Sequence, residues 1–264
     1  MKLSFMTFST PLLTLSEVLD TAALYGYDGV ELRIDANHHH GIETTISEEA
    51  KLLALETIRK SHTEIVALAT SCSFANKITF RQNISNAVEA IKLASFFNIP
   101  VIRTFGGNYP DDCSKNQARS LLKDAYLQLS ETAEKHKVYV CFETHDSWCN
   151  PYDVAEVLDF VNHDYIRANW DIMHPVTHGF TMEESFNVLK AYIRHVHIHD
   201  SKGILNAKPL GLTTTGEGCI DHQLAVDLLK TIGYKGALSG EWINWDSYQL
   251  HLPREIKILR KLIS

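Results

Sequence analysis

The sequence lacks the features that mark disulfide-stabilised, membrane and nucleic-acid-binding proteins. None of its five cysteines belongs to a CxxC pair, and their odd number argues against a disulfide framework. No apolar run approaches the roughly 20 residues that span a bilayer, and the stretch MKLSFMTFSTP at the N-terminus is too short and polar for a signal peptide. The net charge of −7 over 264 residues disfavours a broad surface for nucleic acid or anionic membrane. We therefore expect a cytoplasmic protein with reduced thiols that binds neither nucleic acid nor membrane.

Short apolar runs alternate with segments of helical periodicity along the whole chain. Strands that alternate with helices form parallel sheets, and eight such units in about 250 residues close a barrel. The sequence therefore predicts an α/β fold, a single (β/α)8 TIM barrel, with residues 1–264 as one domain. An open doubly wound sheet would need a Gly-rich turn after the first strand, where the sequence reads MTFSTP. The predicted strands are 2–8, 29–34, 64–70, 101–107, 138–145, 166–173, 193–200 and 236–243.

The predicted helices have identifiable ends and faces. The first begins at a Ser16 cap and closes at Gly26, and the last begins near Pro253. A loop over residues 201–220 is longer than usual for a connection between strand and helix. The second helix, at about Ser47–Ser61, is expected to bury an apolar stripe of Leu52, Leu55 and Ile58.

Four predicted strands in the second half of the chain end on a side chain that can bind metal. The active site of such a barrel lies at the C-terminal ends of its strands. Buried carboxylates are costly unless they are paired or bound to a cation. Three carboxylates and one imidazole would suit one divalent ion, either Mn²⁺, Mg²⁺, Co²⁺ or Zn²⁺. The four residues are Glu143, Asp171, His197 and Glu241.

Each of these residues has a structural alternative. Glu143 and Glu241 could be inward carboxylates bridged to Arg or Lys, and Asp171 could cap a short turn. Because side chains alternate along a strand, His197 shares a face with His195 and His199 and could be one of three stacked core histidines, with His199 as the ligand in its place.

Charged side chains near other strand ends are candidate substrate contacts. Glu31 and Arg33 close the second strand, where they could pair with each other or contact substrate. Arg103 near the end of the fourth strand has the same alternatives, and Lys202 could hold a hydroxyl or phosphate or be solvated. The run His38–His40 fits a solvated loop better than a metal site.

Six short motifs occur in order along the chain, most of them at predicted strand ends. They are GVELR (29–33), FETH (142–145), DIMH (171–174), HIHD (197–200), GEG (216–218) and GEW (240–242). Together they give the chain a resemblance to the xylose isomerase-like barrel superfamily, the sugar phosphate isomerase/epimerase group. By this resemblance the four strand-end residues above are the metal ligands, and Glu143 and Glu241 also act as acid and base. His174 matches a residue that orients substrate, and we predict substrate contacts for His145 and His199 as well.

The resemblance implies a metal-dependent isomerase or epimerase of a sugar or sugar phosphate in carbohydrate metabolism. The ion would polarise a carbonyl and stabilise the enediolate left by proton removal. Two positions depart from the epimerases, which carry a second glutamate where this chain has Cys149 and an arginine where it has Gly203. A homo-oligomer is an expectation by analogy alone.

Three other functions are compatible with the same scaffold. The first is a metal-dependent dehydratase of a cyclic polyol or related hydroxy-keto compound. A DNA-repair enzyme of the endonuclease IV type would need extra histidines from early strands, and the stretches LATSC and RTFGG offer none. The third is a sugar-binding barrel without catalytic activity.

Overall fold

A computed structural model describes residues 1–203 and 211–264, in which eight parallel strands form a closed barrel. The barrel strands are β1 (Lys2–Met6), β2 (Gly29–Arg33), β3 (Glu64–Ser73), β4 (Val101–Phe105), β5 (Tyr139–Glu143), β6 (Ile166–Asp171), β7 (Ile193–Ile198) and β10 (Ala237–Gly240). Two further short strands are β8 (Asp200–Ser201) and β9 (Leu212–Thr213). The helices are α1 (Leu15–Tyr25), α2 (Glu48–Lys60), α3 (Phe80–Phe96), α4 (Lys115–His136), α5 (Pro151–Val161), α6 (Met173–Thr177), α7 (Met182–Leu189), α8 (His222–Thr231) and α9 (Tyr248–Ile263).

The strand order confirms the predicted (β/α)8 barrel. It runs β1-β10-β7-β6-β5-β4-β3-β2, so sequence neighbours are neighbours in the sheet and β10 pairs with β1. Strands β8 and β9 form a separate antiparallel pair inside the long predicted loop. The assignment of residues 1–264 to one domain stays a prediction. No helix that the structure describes is long and apolar enough to cross a membrane.

Within residues 67–195, a buried helix face covers parallel strands. Helix α4 begins with a capping box between Ser114 and Gln117 and buries a stripe of small and apolar residues. The register of β4, β5 and β6 places Arg103 opposite Cys141 and Glu143 opposite Asn169. Because Glu143 is the last residue of β5, its side chain lies at the C-terminal edge of these strands.

Within residues 1–66 and 196–264, neighbouring strands place buried polar side chains opposite one another. Ser4 pairs in register with Ser239, which in turn lies opposite His197, and all three are buried. Thr14 caps α1 through a capping box with Glu17, so the predicted Ser16 cap is wrong by two residues. Gly26 ends α1 in the left-handed region at φ 84°, as predicted.

The predicted start of the last helix and the predicted face of the second differ from the structure. Helix α9 begins at Tyr248 and contains Pro253 as its sixth residue, beyond the first turn, where proline removes one N–H donor from the helix. Leu52 in α2 is 61% exposed, whereas Ala54 is buried. Residues at a spacing of three advance about 300° per step, so such a stripe fans around the helix and only part of it reaches the core.

Candidate metal centre

Glu143 lies at the C-terminal end of β5 and is fully buried. Its Oε2 is 3.2 Å from Nε of Arg103, which is equally buried. The Arg103 guanidinium donates from Nη1 to the carbonyl oxygen of Thr70 at 2.8 Å and lies 3.9 Å from the Phe105 ring centre. The bridge to arginine that the sequence left open is therefore present, and the substrate-binding role of Arg103 stays a prediction.

Asp171 ends β6 and uses one carboxylate oxygen to hold the following turn. Its Oδ1 accepts hydrogen bonds from the backbone N–H groups of Met173 at 2.8 Å and His174 at 3.1 Å. Its Oδ2 lies 3.8 Å from Nε2 of His174. Since a carboxylate has two oxygens, the capping role and a ligand role are compatible.

Aromatic and sulfur side chains surround the ends of β5 and β6. The His145 ring centre is 4.4 Å from that of His174 and 4.8 Å from that of Phe105. Burial, with the Asp171 carboxylate as the next cause, raises the pKa of the Cys149 thiol well above its usual range. Cys149 is therefore a neutral thiol at physiological pH, and its Sγ donates to the carbonyl oxygen of Asp146 at 3.1 Å.

Both ring nitrogens of His197 in β7 face buried carboxylates. Nε2 is 3.1 Å from each carboxylate oxygen of Glu31, and Nδ1 is 3.4 Å from Oε2 of Glu241. All three side chains are buried. His197 is thus one partner of Glu31, and the alternative of a pair between Glu31 and Arg33 stays open.

The remaining predicted substrate contacts have different exposures. His199 is buried and its Nδ1 donates to the backbone carbonyl of Glu241 at 3.0 Å. Arg33 is 9% exposed and donates to the backbone carbonyl of Ile34, whereas Lys202 is exposed. Their substrate roles stay predictions.

The prediction of a solvated loop for His38–His40 is wrong at its last residue. His40 is buried, with Nε2 3.0 Å from the carbonyl oxygen of Arg33 and Nδ1 accepting from the N–H of Ile42 at 3.1 Å. Burial lowers the pKa of His40 to about 4. A polar side chain that satisfies two backbone groups can be buried, and composition alone does not reveal this.

The four predicted ligands come together. Glu143, Asp171, His197 and Glu241 each offer one ligand atom, and these atoms all lie within 4.8 Å of one another. Three carboxylates so close together are favourable only if positive charge or protons offset their repulsion. The donor set therefore fits a divalent cation. Asp171 and His174 also form such a group with His199, so the alternative of His199 as a ligand stays open.

Two polar residues beside this centre make contacts that the sequence analysis did not predict. Glu31 contacts His197, and its signal was the carboxylate in the otherwise apolar GVELR strand. Asp200 accepts four backbone N–H bonds, from Ser201, Gly216, Gly218 and Ile220. The motifs HIHD and GEG thus belong to one structural unit, which their separation in sequence concealed.

Comparison with known proteins gives relatives with two kinds of activity. The 3-dehydroshikimate dehydratase of Bacillus anthracis is 23% identical over 282 residues, covering 98% of this chain and 96% of that protein. An inosose isomerase of Halalkalibacterium halodurans is 23% identical over 249 residues, covering 88% of this chain and 84% of that protein. A crystal structure of the IOLI protein with a zinc atom is 20% identical, with a TM-score of 0.83 and coverage of 99% and 96%.

A family model described as a xylose isomerase-like TIM barrel matches residues 19–262. That range contains all four of the predicted ligands. The chain therefore belongs to the xylose isomerase-like TIM barrel family, a family of enzymes, as the motifs predicted.

Proposed function

We propose that the protein is a divalent-metal-dependent isomerase or epimerase of a sugar or sugar phosphate. The observation that carries this proposal is the convergence of three carboxylates and one imidazole within 4.8 Å. The inosose isomerase relative supports it, since its name describes rearrangement of a polyhydroxylated carbonyl compound. Glu143, Asp171, His197 and Glu241 would hold the ion.

The ion's contribution would be electrostatic. When bound, a divalent cation polarises a substrate carbonyl and offsets the negative charge that develops on its oxygen. Zinc, manganese, magnesium and cobalt all suit the mixed oxygen and nitrogen donors. The zinc in the structurally similar IOLI protein makes zinc the first metal to test.

Two glutamates would move the proton. One carboxylate removes the proton from the carbon beside the carbonyl, which leaves an enediolate on the substrate. The other, as its carboxylic acid, returns a proton to the same carbon from the opposite face or to the neighbouring carbon. We assign these roles to Glu143 and Glu241, and positioned proton transfer of this kind contributes about 10²–10⁴-fold to the rate.

The residues around the centre would bind substrate rather than carry protons. His174 and His145 pack ring against ring, and both are within reach of the Asp171 and Glu143 strand ends. Cys149 remains a neutral thiol at physiological pH, so it would not serve as the second carboxylate that epimerases carry at this position. Cys149 in place of that glutamate removes one charged side chain from the site. The replacement therefore suits a substrate that makes fewer charged contacts than a ketohexose.

Isotope exchange tests the proposal directly. The protein is loaded with Zn²⁺ or Mn²⁺ and incubated in D₂O with free ketoses, phosphorylated ketoses and an inosose. We expect deuterium at the carbon beside the carbonyl of at least one compound, detected by NMR. Glu241→Gln should slow this exchange by about 10²–10⁴-fold, because the amide cannot accept the proton. Absence of exchange with every compound would refute the isomerase.

A dehydratase is the second candidate. It is favoured by the 3-dehydroshikimate dehydratase relative, which matches 98% of this chain. Proton removal beside a carbonyl is again the first step, but a β-hydroxyl then leaves as water and a conjugated product forms. Incubation with 3-dehydroshikimate distinguishes the two, because only dehydration produces a growing ultraviolet absorbance.

A further inference from the structure

The buried carboxylate of Glu31 contacts His197, the proposed ligand histidine. Glu31 stands in β2, in the sequence GVELR, between Val30 and Leu32, which are fully buried. Both of its oxygens are 3.1 Å from Nε2 of His197. Burying a carboxylate in such surroundings is costly, so its presence needs a physical reason.

We propose that Glu31 is a positioning residue that fixes His197 to bind metal through Nδ1. This inference rests on the proposed function, since it concerns the ion that the function requires. In this role Glu31 contacts neither the ion nor the substrate.

The geometry selects one ring nitrogen. Both ring nitrogens face carboxylates, but Nε2 is at hydrogen-bond distance, 3.1 Å, from both oxygens of Glu31, so we place the proton on Nε2. A histidine that binds a cation is neutral, so its lone pair is then on Nδ1, the nitrogen that lies 3.4 Å from Oε2 of Glu241. The ring therefore presents its lone pair toward another proposed ligand.

The Glu31 carboxylate would also increase the affinity of His197 for the ion. A negative charge on the outer nitrogen of an imidazole raises the basicity of the inner nitrogen and restricts rotation of the ring. Loss of such an outer partner typically weakens metal binding by about 10–100-fold.

Two substitutions separate charge from hydrogen bonding. Glu31→Gln keeps the shape and an oxygen acceptor but removes the charge, and Glu31→Ala removes both. We expect the dissociation constant for Zn²⁺, measured by chelator competition, to rise about 10-fold in the first and up to about 100-fold in the second. Glu255→Gln is the matched control: Glu255 is also fully buried, but it contacts the N–H of Thr215 and the guanidinium of Arg254, and its metal affinity should be unchanged.

NMR of the zinc-loaded protein with ¹⁵N-labelled histidine gives a readout independent of turnover. We expect the His197 signals, assigned by their loss in His197→Gln, to show a proton on Nε2 and zinc on Nδ1. Zinc on Nε2 would overturn the proposal. So would unchanged affinity in Glu31→Ala when the wild type binds zinc and is active. If the wild type itself binds no divalent ion, the proposed function fails and this inference fails with it.

Discussion

Asp200 gives the sharpest stability prediction. It is fully buried, and its Oδ1 accepts from the N–H groups of Ser201 at 2.8 Å and Ile220 at 3.2 Å. Its Oδ2 accepts from those of Gly216 at 2.9 Å and Gly218 at 3.0 Å. One carboxylate thus fixes the whole turn before α8, three residues after His197. We predict that Asp200→Asn, although nearly isosteric, is strongly destabilising.

The loss of unfolding free energy in Asp200→Asn follows from the number of hydrogen-bond acceptors that the substitution removes. An asparagine offers one oxygen and one NH₂, so two of the four N–H groups face a donor and lose their acceptor. A buried donor left unsatisfied costs about 1–3 kcal/mol. The expected loss is therefore about 2–5 kcal/mol, since Gly216 and Gly218 are partly accessible to water. For a chain of this size each kcal/mol lowers Tm by about 2–4 °C, which gives a total of roughly 5–15 °C.

Urea unfolding followed by circular dichroism measures this loss, with thermal scans as a second estimate. The control is Asp227→Asn on α8, a half-exposed aspartate that contacts Gln223 and Lys230. A surface substitution of this kind should change the unfolding free energy by at most about 0.5 kcal/mol. If Asp200→Asn loses no more than the control, the four backbone contacts do not stabilise the fold and the reasoning is wrong.

Three further changes test other parts of the molecule. Arg103→Met removes the guanidinium 3.2 Å from buried Glu143, and we expect the metal-free protein to lose about 3–5 kcal/mol in urea unfolding; a loss below about 1 kcal/mol would contradict a stabilising ion pair. The pKa of His40 is lowered by burial to about 4, below the unfolded value near 6.5. The unfolded chain therefore takes up a proton first as pH falls, so stability present above pH 6.5 is lost by about 3 kcal/mol on approach to pH 4. In His40→Gln the pH dependence of unfolding should be flatter, and an equal slope would refute the assignment. Gly240→Ala would place a Cβ 2.1 Å from the Trp242 ring, and such overpacking costs about 1–3 kcal/mol; an unchanged tryptophan fluorescence spectrum and unchanged stability would show that the ring moves freely.

The helix ends illustrate how far sequence patterns reach. The hydroxyls of Thr14 and Ser16 both precede an apolar periodic segment, and either could cap α1. The structure selects Thr14 because Glu17 is three residues further on and completes a capping box. Pro253 is a stop or start signal in most sequences, yet α9 runs through it. Local patterns thus locate elements to within a few residues.

The polar contacts were the hardest feature to anticipate. Glu31 and His197 are far apart in sequence, and nothing local to either indicates that they touch. The pairing of Arg103 with Glu143 was one of several open alternatives, because an inward carboxylate has many candidate partners. Which partner is chosen depends on strand register, which a single strand does not encode.

The sequence by itself determined the strand and helix alternation, the closed barrel and the family, because hydrophobic periodicity is local and eight repeats leave few topologies. It also identified four side chains at strand ends whose chemistry suits one cation. Only the tertiary structure decided that their ligand atoms lie within 4.8 Å of one another and that both carboxylate oxygens of Glu31 lie 3.1 Å from Nε2 of His197. Distances of that kind depend on how strands tilt and register around the barrel, and these are properties of the closed sheet rather than of any one segment.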